Sequence, residues 1–291
     1  GVDITGEGKV EIAGTITAQS KIAATGGITV DATGILTADG SKIGVDVTHS
    51  NVVNLTGGTL ANVVSGGVLN ITGAVTSDVD NIKGTTNDVK STRTLTLTSN
   101  GEDDDVDTKI DTLTVALSGA GRTVIDGTVK SEASIATAGG ITINSDKSLQ
   151  IAADKIGVDV VNNGTLKVDT GTLTKKVTGD TGSTLNVIGT VTNTAGNKIT
   201  QNTLDISSGT GDFTAALSDL TVGTITNEGT FTTHGTLAQN IGGNGTTKLD
   251  DELKVGSAVN IGGTLDGNSQ TLNMQGGTAG DVLTIDKLAN A

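Results

Sequence analysis

The densest chemistry in this sequence is Asn100-Gly101-Glu102-Asp103-Asp104-Asp105-Val106-Asp107. Five carboxylates within six residues repel one another until a cation or solvent relieves them. Oxygen-only donors gathered on a loop suit Ca²⁺. Glu102, Asp103, Asp104, Asp105 and Asp107 are therefore the candidate metal ligands, with a solvated acidic turn as the competing reading. The run is not an EF-hand loop, because the central Gly and terminal Glu do not fall at the required offsets. Asp78-Val79-Asp80-Asn81 is a sparser group of the same kind. Gly242-Gly243-Asn244-Gly245-Thr246-Thr247-Lys248-Leu249 has the outline of a calcium-binding nonapeptide, but Thr247 stands where the ligand Asp belongs. A single copy with that substitution reads as a plain turn.

Proton-transfer and nucleophilic chemistry have little to work with. His49 and His234 are the only histidines, and each follows Thr in a turn-like stretch without Asp or Glu at metal-ligand spacing. They read as surface or turn residues. With no Cys there is no thiolate nucleophile, thiolate zinc site or disulfide framework. No nucleophile elbow, P-loop or helix-borne His pair is present. Carboxylates are numerous enough for a polysaccharide lyase or hydrolase. Such an enzyme would also want aromatic platforms and an Arg-rich cleft, and the chain has two Phe, no Trp or Tyr, and only Arg93 and Arg122. The expectation is a protein that is not an enzyme. Four glycosylation sequons, starting at Asn54, Asn70, Asn163 and Asn244, are background in a chain so rich in Asn and Thr.

The elements that must position these residues are set by the whole composition. Of 291 residues, 43 are Gly and none is Pro, and 32 acids face 18 bases for a net charge of −14. That charge disfavours phosphate backbones, and the missing aromatics disfavour stacked single strands, so no nucleic-acid partner is expected. No apolar run approaches the ~18 residues of a spanning helix, and the aromatic girdles of an outer-membrane barrel are absent, so no membrane insertion is expected. Disorder is opposed by the 34% hydrophobic content, mostly aliphatic and regularly alternating.

The alternation has period two. Thr94-Leu95-Thr96-Leu97-Thr98, Ile141-Thr142-Ile143 and Leu185-Asn186-Val187 place aliphatics on one face of short strands of three to five residues. Gly, Asn and Asp turns punctuate them every few residues, at Gly26-Gly27, Gly57-Gly58, Asn162-Asn163-Gly164 and Asn227-Glu228-Gly229. One short helical turn is expected within 212–219; the class is all-β. Longer self-similarity is also present. Lys42-Ile43-Gly44-Val45-Asp46-Val47 recurs as Lys155-Ile156-Gly157-Val158-Asp159-Val160, and the same offset of 113 carries Gly26–Val30 onto Gly139–Ile143. The expected organisation is a repeat over 1–120, a second over 121–228, and a shorter third part over 229–291.

Short strands, frequent corners and aliphatics without rings point to a β-solenoid, in which each coil covers the interior of the next. At roughly 22 residues per coil the chain would hold about thirteen coils. Tandem β-sandwiches of ~110 residues are the alternative. The missing Pro fits continuous backbone pairing, because every layer must donate its N–H groups.

Val161-Asn162-Asn163-Gly164-Thr165-Leu166-Lys167-Val168, Ile225-Thr226-Asn227-Glu228-Gly229-Thr230-Phe231 and Val259-Asn260-Ile261-Gly262-Gly263-Thr264-Leu265 resemble the Asn-Gly-Thr repeats of bacterial surface β-helix proteins. Those are the autotransporter passenger domains and filamentous-haemagglutinin-like adhesins. Asn62–Leu69 is similar to the Gly-Gly repeats of their self-associating members. The resemblance implies a right-handed β-helix, export to the cell surface, and structural or adhesive work without catalysis. Gly1 is not Met and no charged, apolar leader follows, so a processed chain or a fragment is expected. With no translocating barrel in the sequence, the expectation is a self-assembling subunit of an extracellular filament or coat, partnered by copies of itself and aided by Ca²⁺. A monomeric adhesin binding cells or surface glycans is the alternative.

Overall fold

The computed structural model describes residues 2–99, 110–274 and 282–290. Alternation puts Ile22, Ala24, Ile28, Val30, Leu36 and Ala38 on the buried side of three short strands, Ile22–Ala24, Ile28–Val30 and Ile35–Ala38. Strands this short cannot bury their own aliphatics, so they stack. Ile4–Gly6, Val10–Ile12 and Thr15–Ala18 lie one layer before them, pairing Ile4 with Ile22, Val10 with Ile28 and Thr15 with Ile35. Three strands and their corners make one coil. About 14 such coils form a β-solenoid that is 60% strand and 4% helix. Strand pairs are parallel and join one coil to the next, whereas a sandwich would pair antiparallel neighbours.

The chain divides into two compact units, Gly1–Leu149 and Gln150–Ala291. In the first, Val47 pairs with Val64 and Val64 with Ile82, offsets of 17 and 18 residues and shorter than the coil expected from sequence. Further along the first unit Asn87 pairs with Leu117 across an offset of 30, and in the second the offset runs from 16 between Ile225 and Ile241 to 24 between Val259 and Leu283. Corners absorb the difference, so the core ladders stay in register. Ile28, Val47, Val64 and Ile82 form one such ladder and none is more than 2% exposed. In the second unit Phe213 and Phe231 are fully buried on paired positions, their rings stacked with centroids 6.0 Å apart. Ring stacking of this kind adds ~0.5–1.5 kcal/mol beyond area burial.

Several strands are longer than the three to five residues expected. Thr184–Asn193 runs for ten residues because it serves two sides of the coil. Thr184–Val187 pairs with Thr203–Ile206, and Thr190–Thr192 pairs with Asp212–Thr214. The bend falls at Ile188-Gly189. A Cβ on Gly189 would lie 1.6 Å from the Asp169 carbonyl oxygen of the coil beneath, so only Gly fits there. The stretch 212–219 is helical only at its end. Asp212–Ala216 is a strand, with Phe213 and Ala215 both inward, and only Leu217–Asp219 forms a 3₁₀ turn.

The duplicated hexapeptide is a corner. Each copy leaves a 3₁₀ turn, Gly40–Lys42 or Ala153–Lys155, and buries the next isoleucine, Ile43 or Ile156. The Asp of each copy then fastens the following coil. Asp46 Oδ1 accepts from the Val63 N–H at 3.0 Å, and Asp159 Oδ1 accepts from the Lys176 N–H at 3.0 Å. The Asn-x-Gly-Thr corners work similarly: Asn162 Oδ1 takes the Gly164 N–H, and Asn227 Oδ1 takes the Gly229 N–H. A buried amide side chain thus replaces water at a backbone donor that the corner would otherwise strand.

Candidate functional site

Glu102, Asp103, Asp104, Asp105 and Asp107 lie outside the described residues. The sparser acidic group is described, and the fold enlarges it. Asp78 caps the 3₁₀ turn Val79–Asn81, its Oδ1 accepting the Asp80 N–H at 3.0 Å. That turn sits against the strand Asp111–Leu113, which brings in a third carboxylate. One oxygen from each of Asp78, Asp80 and Asp111 lies within 4.8 Å of the other two. Asp111 is buried and the other two are half-buried. Three hard oxygen donors so arranged can hold a divalent cation such as Ca²⁺, with carbonyls and water completing the six to eight ligands it takes. Asp111 was invisible as a member because it lies 31 residues beyond Asp80 and is joined to it only by coil stacking.

Both histidines sit in strands and not in turns; His234 lies at the surface, as one part of the sequence reading had it, and His49 departs from that reading by being buried. His49 is inward on the strand Val47–Leu55 and buried. Its Nδ1 lies 3.3 Å from the Asn51 carbonyl oxygen, and its Nε2 is buried without a partner. Burial holds its pKa below the ordinary 6.5, against a weaker upward pull from the Asn51 carbonyl. His234 lies on the strand Thr230–Leu237, its Nδ1 2.8 Å from Asp250 Oδ1, a residue 16 positions away. Beside it, Asp219 is buried and accepts from Lys198 Nζ at 2.9 Å and from the Gly196 N–H at 2.8 Å. Burial alone would raise the Asp219 pKa, but these two donors and the positive charge of Lys198 bring it below the ordinary value. Asp205 is pushed the other way, by burial and then by Glu228. The segment 242–249 is a corner running into the strand Thr246–Val255, and Thr247 is buried, where its hydroxyl meets Asn227 Nδ2 at 3.4 Å. No helix among the described residues is long and apolar enough to cross a membrane.

Exposed apolar side chains concentrate in two places. Val2, Ile4 and Ile16 are 89%, 48% and 45% exposed, and the last two lie on the first coil's strands. Among the described residues, Ile4–Gly6 has a partner on one edge only, the strand Ile22–Ala24. At the far end of the sequence Val282 and Leu288 are 57% and 51% exposed, on or beside the strand Leu283–Ala289. Between them, among the described residues, Val161 on the strand Val160–Asn162 is 46% exposed and Met274 44%, while the inward aliphatics of the coils are covered.

No known family model matches this chain, nor does any curated protein or solved structure.

Proposed function

We propose that this chain is a non-enzymatic structural subunit of an extracellular filament or coat that associates with copies of itself. The carrying observation is the exposure of strand-borne aliphatics, Ile4, Ile16 and Leu288, on the first and last coils. A parallel edge strand offers N–H and C=O groups to a further strand, and apolar residues beside that edge gain by being covered. The matching surface is another coil of the same kind, here assigned to a second copy. A contact joining two different surfaces of one chain repeats from copy to copy, giving a ring or an open polymer.

The surface location rests on the Asn-Gly-Thr corners that resemble those of bacterial surface β-helix proteins. In this reading Ca²⁺ bound by Asp78, Asp80 and Asp111 neutralises part of the −14 charge and favours association. Sedimentation velocity over a concentration series, with Ca²⁺ and with chelator, tests the proposal. Species larger than the monomer should grow with concentration, and Ile16→Lys or Leu288→Lys should diminish them. A monomer at every concentration, with and without Ca²⁺, overturns it.

A further inference from the structure

In the second unit, six strands in succession present alternate residues outward in register, and those residues are mostly threonine. One row runs Thr170, Thr190, Asp212, Thr230, Thr246, Thr264, and the row two residues further along each strand runs Thr172, Thr192, Thr214, Thr232, Lys248, Asp266. Nine of these twelve positions are Thr. The first four coils form an almost unbroken grid, with Asp212 the one exception, while Lys248 and Asp266 mark its charged margin. Thr170, Thr172, Thr190 and Thr192 are exposed and the Thr of the later coils are half-exposed.

Three further features bear on what such a grid meets. With Thr170, Thr172, Thr190 and Thr192 exposed, the hydroxyls of the first two coils are open to solvent. β-Branching gives each side chain a restricted χ1, so hydroxyl and methyl positions repeat from coil to coil. The layer beneath includes Phe213 and Phe231, fully buried and stacked, which makes the backing stiff.

The grid has two repeats, ~4.8 Å from strand to strand and ~6.6 Å between alternate residues of a strand. The shorter repeat is close to the distance between equivalent oxygens along the basal axes of hexagonal ice. Each hydroxyl anchors one water, while the methyl beside it forces neighbouring waters to bond among themselves. A regular array of both orders water in two dimensions. Crystalline polysaccharides would call for aromatic stacking platforms, and this face has none pointing outward. We infer that the Thr170–Thr232 face binds the surface of ice.

This inference is independent of self-association, since it uses a side of the second unit and not the terminal edges. The test partitions fluorescently labelled whole chain between a slowly growing ice hemisphere and the liquid, and follows recrystallisation of a frozen film. The chain should enter the ice and hold crystals small. Thr192→Lys should return it to the liquid fraction at an unchanged melting temperature, because the side chain is exposed. Thr192→Val, which keeps the methyl groups and shape, should retain most adsorption, and Thr203→Lys, on another side of the coil, should leave it intact. Exclusion of the wild-type chain from ice, or equal adsorption by Thr192→Lys, overturns the inference. Equal loss in Thr203→Lys also overturns it, because adsorption would then follow net charge and not this face.

Discussion

Replacing Gly189 by Ala tests the stacked coil at its tightest point. The added Cβ would sit 1.6 Å from the Asp169 carbonyl oxygen and 2.7 Å from its carbon, where ordinary contacts begin at 3.4 Å. Nothing flexible can yield, because both of these atoms are backbone. Restoring contact means separating two layers by well over an ångström at a spacing of ~4.8 Å. That opening weakens the flanking pairs, Val168 with Val187 and Thr170 with Thr190. Overpacking of this kind costs ~1–3 kcal/mol, and each kilocalorie lowers the melting temperature of a unit this size by about 2–4 °C. The comparison is Gly14→Ala, whose added Cβ meets nothing within 4 Å and whose φ is not positive. It should be neutral, or stabilising by up to about 1 kcal/mol through the unfolded chain. Thermal and urea unfolding of both variants, with hydrogen exchange to locate the loss, gives the answer. Loss of protection should centre on 165–193, as expected when coils interact mainly with nearest neighbours. Equal melting of the two variants would refute the argument that backbone layers touch at this corner.

Acid should loosen the first unit through His49. Its pKa is depressed in the fold, so the unfolded chain binds the proton first; stability is complete above pH 6.5 and falls as pH drops through the folded value. Stability measured from pH 7.5 to 5 should therefore decline in that direction, and His49→Leu should flatten the part of the slope due to this group. Lys198→Ala removes a charged donor from buried Asp219 and should cost ~1–3 kcal/mol; the Asp219 carboxyl pKa, followed by NMR, should rise. Calcium should raise the melting temperature of the first unit, and Asp111→Asn should reduce that gain without abolishing the fold; calorimetry with and without chelator checks both.

The class of fold was legible because period two and a Gly or Asn corner every few residues are local signals. What joins residues across coils was not. Phe213 and Phe231 carry the same inward parity, yet nothing local says that they stack. His49 shows the limit most clearly. It has the same parity as Val47 and should read as inward, but the polar run Thr48-His49-Ser50-Asn51 looks like a turn. The reason is a register shift between His49 and Val52, where the strand bends over the next side of the coil. Gly66, paired with His49, makes room at that bend: its φ is +115°, and a Cβ there would lie 1.9 Å from the His49 carbonyl oxygen.

The 113-residue repeat carries a different lesson. Ile28 belongs to the ladder of Val47, Val64 and Ile82. Its counterpart Ile141 belongs to another ladder of the same unit, with Thr123, Leu95 and Val75. The repeat is therefore not a whole number of coils, and equivalent sequences occupy different sides. Yet Asp46 and Asp159 each fasten the N–H group 17 residues on. What the repeated sequence encodes is a corner and the strands leading from it, and that unit fits any side of the coil because each side offers the same parallel edge at the same height. Copies of such a unit can be added or shifted without disturbing the core. Only inward parity and the offset to the next layer must be kept, which leaves the outward residues free to diverge into features such as the threonine rows.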